Sequence, residues 1–523
     1  MPFWQLRVKR EGTMGQRRRI FFRLLVSLSL CFVMPLPSLA DTLIVNALLL
    51  DGTGSPSQQG SVRIVGDQII DVGALTPRAT DTVVDAGGLV LSPGFIDTHS
   101  HADEHLLTQR NAAPKITQGI TTVVVGQDGS SPYPLNDFFQ ALERTPATIN
   151  VAAYVGHNTL RDIVMGKGSR EEASPVEMQS MAGLLRSELN SGAVGLSTGL
   201  EYEPGIYSSK TEVLLLAQQT AQRGGRYISH MRSEDRWFED SIEEIIEIGR
   251  VTGMPVQISH IKLAMKRLWG SAEKLLEQLN AARAEGINIT ADIYPYTFWQ
   301  SHMMVLLPER DPLDMQAIDL VMRELAPPEG IIFTHFPAEP SYVGKTLIEI
   351  ANLRHESPGQ AFSQLAQQSI AYEEETGQPG DMMIGTSMDE SDLQHLMAWP
   401  HTNICTDGGL QDRHPRGAGS FPRVLGHYAR DAALFPLESA VQKMTALPAQ
   451  HLGIKDRGMI KPGYKADLVL FDPATVSDRA TTSQPFLAAV GISDVWVNGT
   501  RVMERGRQTK AYPGRIVRRM STP

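Results

Sequence analysis

Between residues 95 and 407 the chain repeats one pattern eight times: a short apolar run, then a segment with helical periodicity or turns. The runs are Phe95 to His99, Gly119 to Gly126, Asn150 to His157, Ala193 to Thr198, Arg226 to His230, Pro255 to His260, Ile287 to Asp292 and Thr402 to Asp407. Several, such as Ile120-Thr121-Thr122-Val123-Val124-Val125, are β-branched at consecutive positions, as strands buried on both faces are. Parallel strands need a crossover, and a helix supplies it. Eight such units predict an α/β fold with a (β/α)8 TIM-type barrel. The intervening segments agree. Ile242, Ile245, Ile246 and Gly249 share a face behind a capping box at Ser241 to Glu244. Ser271 is placed to cap a helix on which Leu275, Leu279 and Ala282 share a face before Gly286.

Two regions fall outside the repeat. Residues of about 300–400 are too many for one crossover, so an inserted subdomain is expected before the eighth strand, over the barrel mouth, with Ile331 to His335 as one of its strands. Residues 41–91 and 455–523 read as short strands and turns, including an Asn498-Gly499 hairpin. They are expected to pair into a small discontinuous β-sandwich bracketing a barrel of residues 92–454.

Residues 1–40 have a different texture. Arg17, Arg18 and Arg19 precede an apolar run that ends in Ser38-Leu39-Ala40, which reads as an export signal cleaved after Ala40. Arg18-Arg19-Ile20-Phe21-Phe22-Arg23 also has the form of a twin-arginine signal, and Met14 is a candidate start. The expected location is periplasmic or secreted, without stable membrane association after cleavage. Removing the segment leaves 41 basic against 57 acidic residues, a net charge of −16. That acidity, with no dense basic patch, argues against nucleic acid as a partner. A single cysteine remains, Cys405, so no intrachain disulfide forms.

The ionisable residues fall where a barrel does chemistry. His99 and His101 end the first strand two residues apart, so their rings point the same way. His230, His260 and Asp407 end the fifth, sixth and eighth strands. Barrel active sites lie at this carboxyl-terminal rim. Four imidazoles and a carboxylate there can surround one or two divalent metal ions.

Together the motifs resemble the amidohydrolase superfamily and, within it, the N-acyl-D-amino-acid deacylase (D-aminoacylase) family. The likeness covers nearly all of the chain after residue 40. It is carried by Pro93 to His101, Gly119 to Gly126, Gly195 to Tyr202, Ser229 to Arg232, Ser259 to Lys262, Thr406-Asp407-Gly408, His414-Pro415-Arg416 and Ser420 to Arg423. The resemblance implies a zinc-dependent hydrolase acting on linear amide bonds, with one or two metal ions. A small N-acyl-D-amino acid or D-dipeptide is the implied substrate. One stretch departs from it. The family shows Gly-Asn-Cys-Gly after the second strand, with the cysteine bridging two zinc ions, whereas this chain has Gly126-Gln127-Asp128-Gly129. Asp128 therefore takes the bridging position, with Glu201 as a rival. A lysine on the fourth strand, which bridges in other superfamily members, is absent. The reading gives His99, His101, Asp128, His230 and His260 as metal ligands and Asp407 as the base and then acid of hydrolysis. Lys262 and Arg416 are expected to hold the substrate carboxylate, Tyr202 and Tyr294 to donate hydrogen bonds to the substrate, and His157 to support the site from behind. The alternatives are a D-residue dipeptidase, a cyclic-amide hydrolase of hydantoinase or dihydroorotase type, and a non-catalytic metal-binding protein on the same scaffold.

Overall fold

A computed structural model describes residues 41–519, so the export segment, its twin-arginine form, the Met14 start and the cleavage after Ala40 lie outside the described residues. The eight runs become strands β1 (Phe95–Asp97), β2 (Ile120–Val125), β3 (Asn150–Ala153, continued by Val155–Gly156), β4 (Gly195–Gly199), β5 (Arg226–His230), β6 (Val256–Ile258), β7 (Ile289–Ile293) and β8 (Thr402–Ile404). Each pairs in parallel with the next. The ring closes between β8 and β1, where the Asp407 N–H donates to His99 O at 2.9 Å and the His101 N–H to Gly408 O at 3.2 Å. β2 is buried along its whole length, as its β-branched sequence requires. Gly195 lets β4 lie close against β5, because a Cβ there would stand 1.8 Å from Arg226 O.

Two helix starts differ from expectation. The helix Phe238–Thr252 begins ahead of Ser241, which lies inside it and donates to Trp237 O at 3.1 Å, so Ser241 forms no capping box. Ser271 occupies the N-cap of the helix Ala272–Ala284 without capping it through its side chain. Asp392 replaces it from the helix Glu390–Ala398, accepting from Gly270 N at 2.7 Å and Ala272 N at 3.1 Å. A distant carboxylate serves an N-terminus as well as a local hydroxyl does, and adds charge complementarity.

The insert runs from Phe298 to Thr386. Its strands Phe298–Ser301, Ile331–His335 and Met382–Thr386 form an antiparallel sheet with Met382–Thr386 in the centre. Helices Leu347–Arg354 and Pro358–Thr376 belong to the same insert.

The chain ends meet in one nine-stranded sheet. Its strand Asp41–Leu49 forks at Asn46, pairing Asp81–Asp85 before the fork and Val90–Pro93 after it. The sheet folds over a core that includes Ile44, Val62, Ile69, Leu468 and Trp496. The sandwich thus takes the form of a forked sheet closed on itself, with a bridge between Gln68 and Lys465. The last described residues leave the sheet: the Val151 N–H donates to Arg515 O at 3.0 Å and the Val517 N–H to Val151 O at 2.7 Å, so this stretch packs on the barrel.

Candidate active site

The site grows from the loops that follow the strands. Beyond β1, His99 is fully buried and His101 partly so. Their Nε2 atoms face the same two oxygens. Asp128 Oδ2 is 3.3 Å from His99 and 3.4 Å from His101, and Asp407 Oδ1 is 3.3 and 3.2 Å from them. Four donors about 2.0 Å from a shared zinc-sized ion stand about 3.3 Å apart, so this quartet has the spacing of a tetrahedral metal site.

Asp128 turns its second oxygen to another pair. Oδ1 lies 3.4 Å from His260 Nε2, which lies 3.0 Å from His230 Nδ1. That oxygen is buried and accepts no hydrogen bond, as is natural for an atom whose partner is a cation. The donor set fits one ion between His99, His101 and Asp407, a second beside His230 and His260, and the Asp128 carboxylate between them. The outer nitrogens of the second pair are held. Glu201 Oε2 is 3.0 Å from His230 Nε2, and Glu234 Oε1 is 2.9 Å from His260 Nδ1. A carboxylate behind a ligating imidazole fixes its tautomer and orientation. Glu201 therefore sits behind His230, whereas the two oxygens of Asp128 face both imidazole pairs.

Local backbone explains the aim of these groups. Asp128, His260 and Asp407 all have positive φ, at 50°, 33° and 48°. Gly129 follows at φ 77°, packed so that a Cβ would lie 2.4 Å from Asn158 Oδ1. His260 N–H donates to Asp292 Oδ1 at 2.6 Å, which pins its turn to the end of β7. Asp407 is pinned from behind by a buried lysine. Lys115 Nζ donates to Asp97 Oδ2 at 3.1 Å, Thr406 Oγ1 at 2.6 Å and Gly408 O at 2.7 Å. Asp97 Oδ1 in turn accepts from Thr406 N at 2.8 Å.

Both central carboxyls are anionic. Burial opposes the charge of Asp128, but His99, His260 and His101 outweigh it and hold its carboxyl well below the ordinary range. Burial likewise opposes Asp407, and Arg416, with His260 and His99, prevails. Arg416 Nη1 donates to Asp407 Oδ2 at 2.5 Å, and its guanidinium lies 4.7 Å from the centre of the Tyr294 ring. The Arg416 Nε and the Tyr294 hydroxyl are both buried without partners and border the same pocket. Tyr202 packs its ring 4.3 Å from that of His230.

Two expected roles change. Lys262 lines the pocket but is engaged, donating to both oxygens of Glu234 at 2.6 and 2.7 Å and lying 2.6 Å from His260 Nδ1. It is not a free ammonium. His157 starts a helix and meets Glu212 at 2.7 Å in a buried network with Arg161, so it does not back the metal cluster. Sequence reasoning missed Glu234, Asp292, Asp97 and Lys115. Asp292 carried a signal, an acid at the end of a strand, and so did Glu234, four residues past His230. Lys115 carried none.

A ring of parallel strands with imidazoles and carboxylates gathered at its carboxyl rim defines a barrel hydrolase built around metal ions. The chain belongs to the amidohydrolase family, whose model matches residues 82–323 and 392–503, and within it to the N-acyl-D-amino-acid deacylases. It is 37% identical to a D-aminoacylase of Alcaligenes xylosoxydans xylosoxydans, over 92% of this chain and 98% of that protein. An N-acyl-D-glutamate deacylase of the same organism is 36% identical over 92% and 96%. A crystal structure of D-aminoacylase superposes with a TM-score of 0.80 at 37% identity, covering 91% of this chain and 99% of that one. The N-acyl-D-glutamate deacylase from Bordetella bronchiseptica, complexed with zinc and a phosphonate mimic of the tetrahedral intermediate, gives 0.81 at 35% identity, covering 92% and 99%.

Proposed function

We propose that this protein hydrolyses N-acyl-D-amino acids to a carboxylic acid and a free D-amino acid, with zinc as its metal. The observation that carries the reading is the placing of Asp128, whose two oxygens face two separate imidazole pairs within a chain closely similar to deacylases. Similar solved proteins hold a binuclear metal centre in one case and zinc in another. Here His99, His101 and Asp407 would hold one ion, His230 and His260 a second, and Asp128 both. Bound zinc supplies Lewis acidity, which lowers the pKa of water and polarises a carbonyl.

The remaining work falls to side chains. Asp407, ionised and facing the cluster, accepts the proton of the attacking water and returns it to the departing amine. The Tyr294 hydroxyl and Arg416 Nε, two buried unpartnered donors bordering the pocket, bind the substrate's carboxylate. Arg416 also orients Asp407 through its other nitrogen. Lys262 locks Glu234 against His260. We further infer export to the periplasm or medium from the Arg17 to Ala40 segment, which N-terminal sequencing of the secreted protein would test.

The test of the activity is amine release from matched N-acetyl-D- and N-acetyl-L-amino acids, with zinc per chain counted on the same sample. Release from the D series alone, with one or two zinc ions, is expected. Release from hydantoins or from the L series instead would overturn the reading.

A further inference from the structure

The pocket has two unlike walls. One is the polar end just described. The other is mostly apolar, formed by Ala264 and by Trp299, Val305, Leu306 and Leu325 of the insert, with Gln300 and Ser301 beside Trp299. We infer that this second wall receives the substrate's amino-acid side chain, accepting uncharged apolar side chains and rejecting acidic ones. The inference rests on the deacylase reading and narrows its substrate.

Three observations carry it. First, the wall is held in place. Trp299 is fixed by its Nε1, which donates to Ser387 Oγ at 2.6 Å. Leu325 ends a π-helical turn, Val321–Leu325, a rare geometry that often marks functional sites.

Second, no cation is free to meet a second carboxylate. Apart from His230 and His260, the basic residues among the described residues lining the pocket are Lys262 and Arg416, and both stand by the Tyr294 ring. The neighbouring arginines are engaged. Arg310 Nη1 donates to the carbonyls of Met304, Val305 and Leu307 at 2.7, 2.7 and 2.8 Å, and its Nη2 to that of Glu201. Arg236 is paired with Asp235 at 2.7 Å. Glu201, Glu234 and Asp235 also line the pocket, each paired with an imidazole or a cation, so these pairs leave no positive charge for a second carboxylate on the substrate.

Third, the wall adjoins the end that offers Tyr294 and Arg416. Ala264 follows Lys262 by two residues in the loop after β6, so the apolar surface begins beside the end that holds the α-carboxylate. Side chain and α-carboxylate share one carbon and travel together, whereas the acyl group lies across the amide. The inference therefore gives this protein a substrate other than the D-glutamate and D-aspartate derivatives for which two of its relatives are named.

The experiment is kcat/KM on the zinc-loaded protein for N-acetyl derivatives of D-leucine, D-methionine, D-phenylalanine, D-glutamate and D-aspartate, with N-butyryl-D-leucine as an acyl control. We expect the apolar substrates to exceed the acidic ones by about 100-fold, with acyl length mattering less than side chain. Comparable or better use of D-glutamate or D-aspartate overturns the inference and leaves the deacylase reading intact, and so does control by acyl length alone. No release from any D substrate overturns both. In a second arm, Val305→Arg supplies a cation at a half-buried position and should raise the D-glutamate to D-leucine ratio about 10-fold. Ser301→Arg serves if that variant fails to fold, and an unchanged ratio in a folded variant counts against the assignment.

Discussion

Asp128, His260 and Asp407 share a backbone conformation that costs each of them about 1 kcal/mol or more. Asp292 holds His260 there, and Lys115 with Asp97 holds the turn at Asp407. Lys115 is the clearest case, since its ammonium ties Asp97, Thr406 and Gly408 around Asp407. Lys115→Met should lower kcat more than it raises KM and should loosen metal retention, with Lys115→Arg recovering little because the cavity is shaped for an ammonium. A KM-only effect would show that the clamp does not position Asp407. Asp407→Asn should lower kcat by about 10²- to 10⁴-fold while at least one zinc per chain remains, and near-normal turnover would remove Asp407 from proton transfer. Glu234→Gln should weaken zinc binding about 10- to 100-fold, read by competition with a chelating dye. At this scale the metal-facing residues were legible, because histidines and acids at strand ends stand out from apolar surroundings. Their supports were not: Lys115 reaches β1 and β8 from a short helix, and that contact has no signature in local sequence.

Elements were legible where one face is buried and less so where ends are capped. The apolar stripe Ile242, Ile245, Ile246 and Gly249 packs as its spacing requires. The start of the helix Ala272–Ala284 depends on a partner far along the chain, Asp392. Asp392→Ala removes two N-terminal hydrogen bonds from the helix Ala272–Ala284 and should cost about 1 to 2 kcal/mol in urea unfolding. The helix Ala446–Leu452 carries a pH dependence. His451 lies 2.6 Å from Asn403 Oδ1, and burial, aided by nearby His401, Arg226, Arg283 and Lys443, lowers its pKa to about 3. The unfolded chain then binds a proton near pH 6.5 that the folded one resists. Stability is lost as pH falls from about 6.5 towards 3, by about 2 kcal/mol at pH 5 from this residue. His451→Gln should flatten that slope in denaturant titrations at pH 7 and pH 5, and an unchanged slope would place the acid sensitivity elsewhere.

Across the whole molecule, the barrel, the insert before its eighth strand and the sheet joining both chain ends follow from where apolar runs, turns and helical periods fall. The forked form of that sheet and the return of residues 511–519 to the barrel do not, because both rest on pairings between the two ends of the chain. The two histidine pairs come from opposite sides of the ring, and Asp128 joins them. Removing metal should therefore lower the melting temperature of the full chain, and zinc should restore it in a concentration-dependent way. The most direct test of Asp128 is anomalous diffraction at the zinc edge from crystals of the zinc-loaded protein. The account predicts two peaks about 3.5 to 4 Å apart, one beside His99 and His101, the other beside His230 and His260, with the Asp128 carboxylate between them. Peaks grouped around Glu201, or none within bonding distance of Asp128, would contradict it.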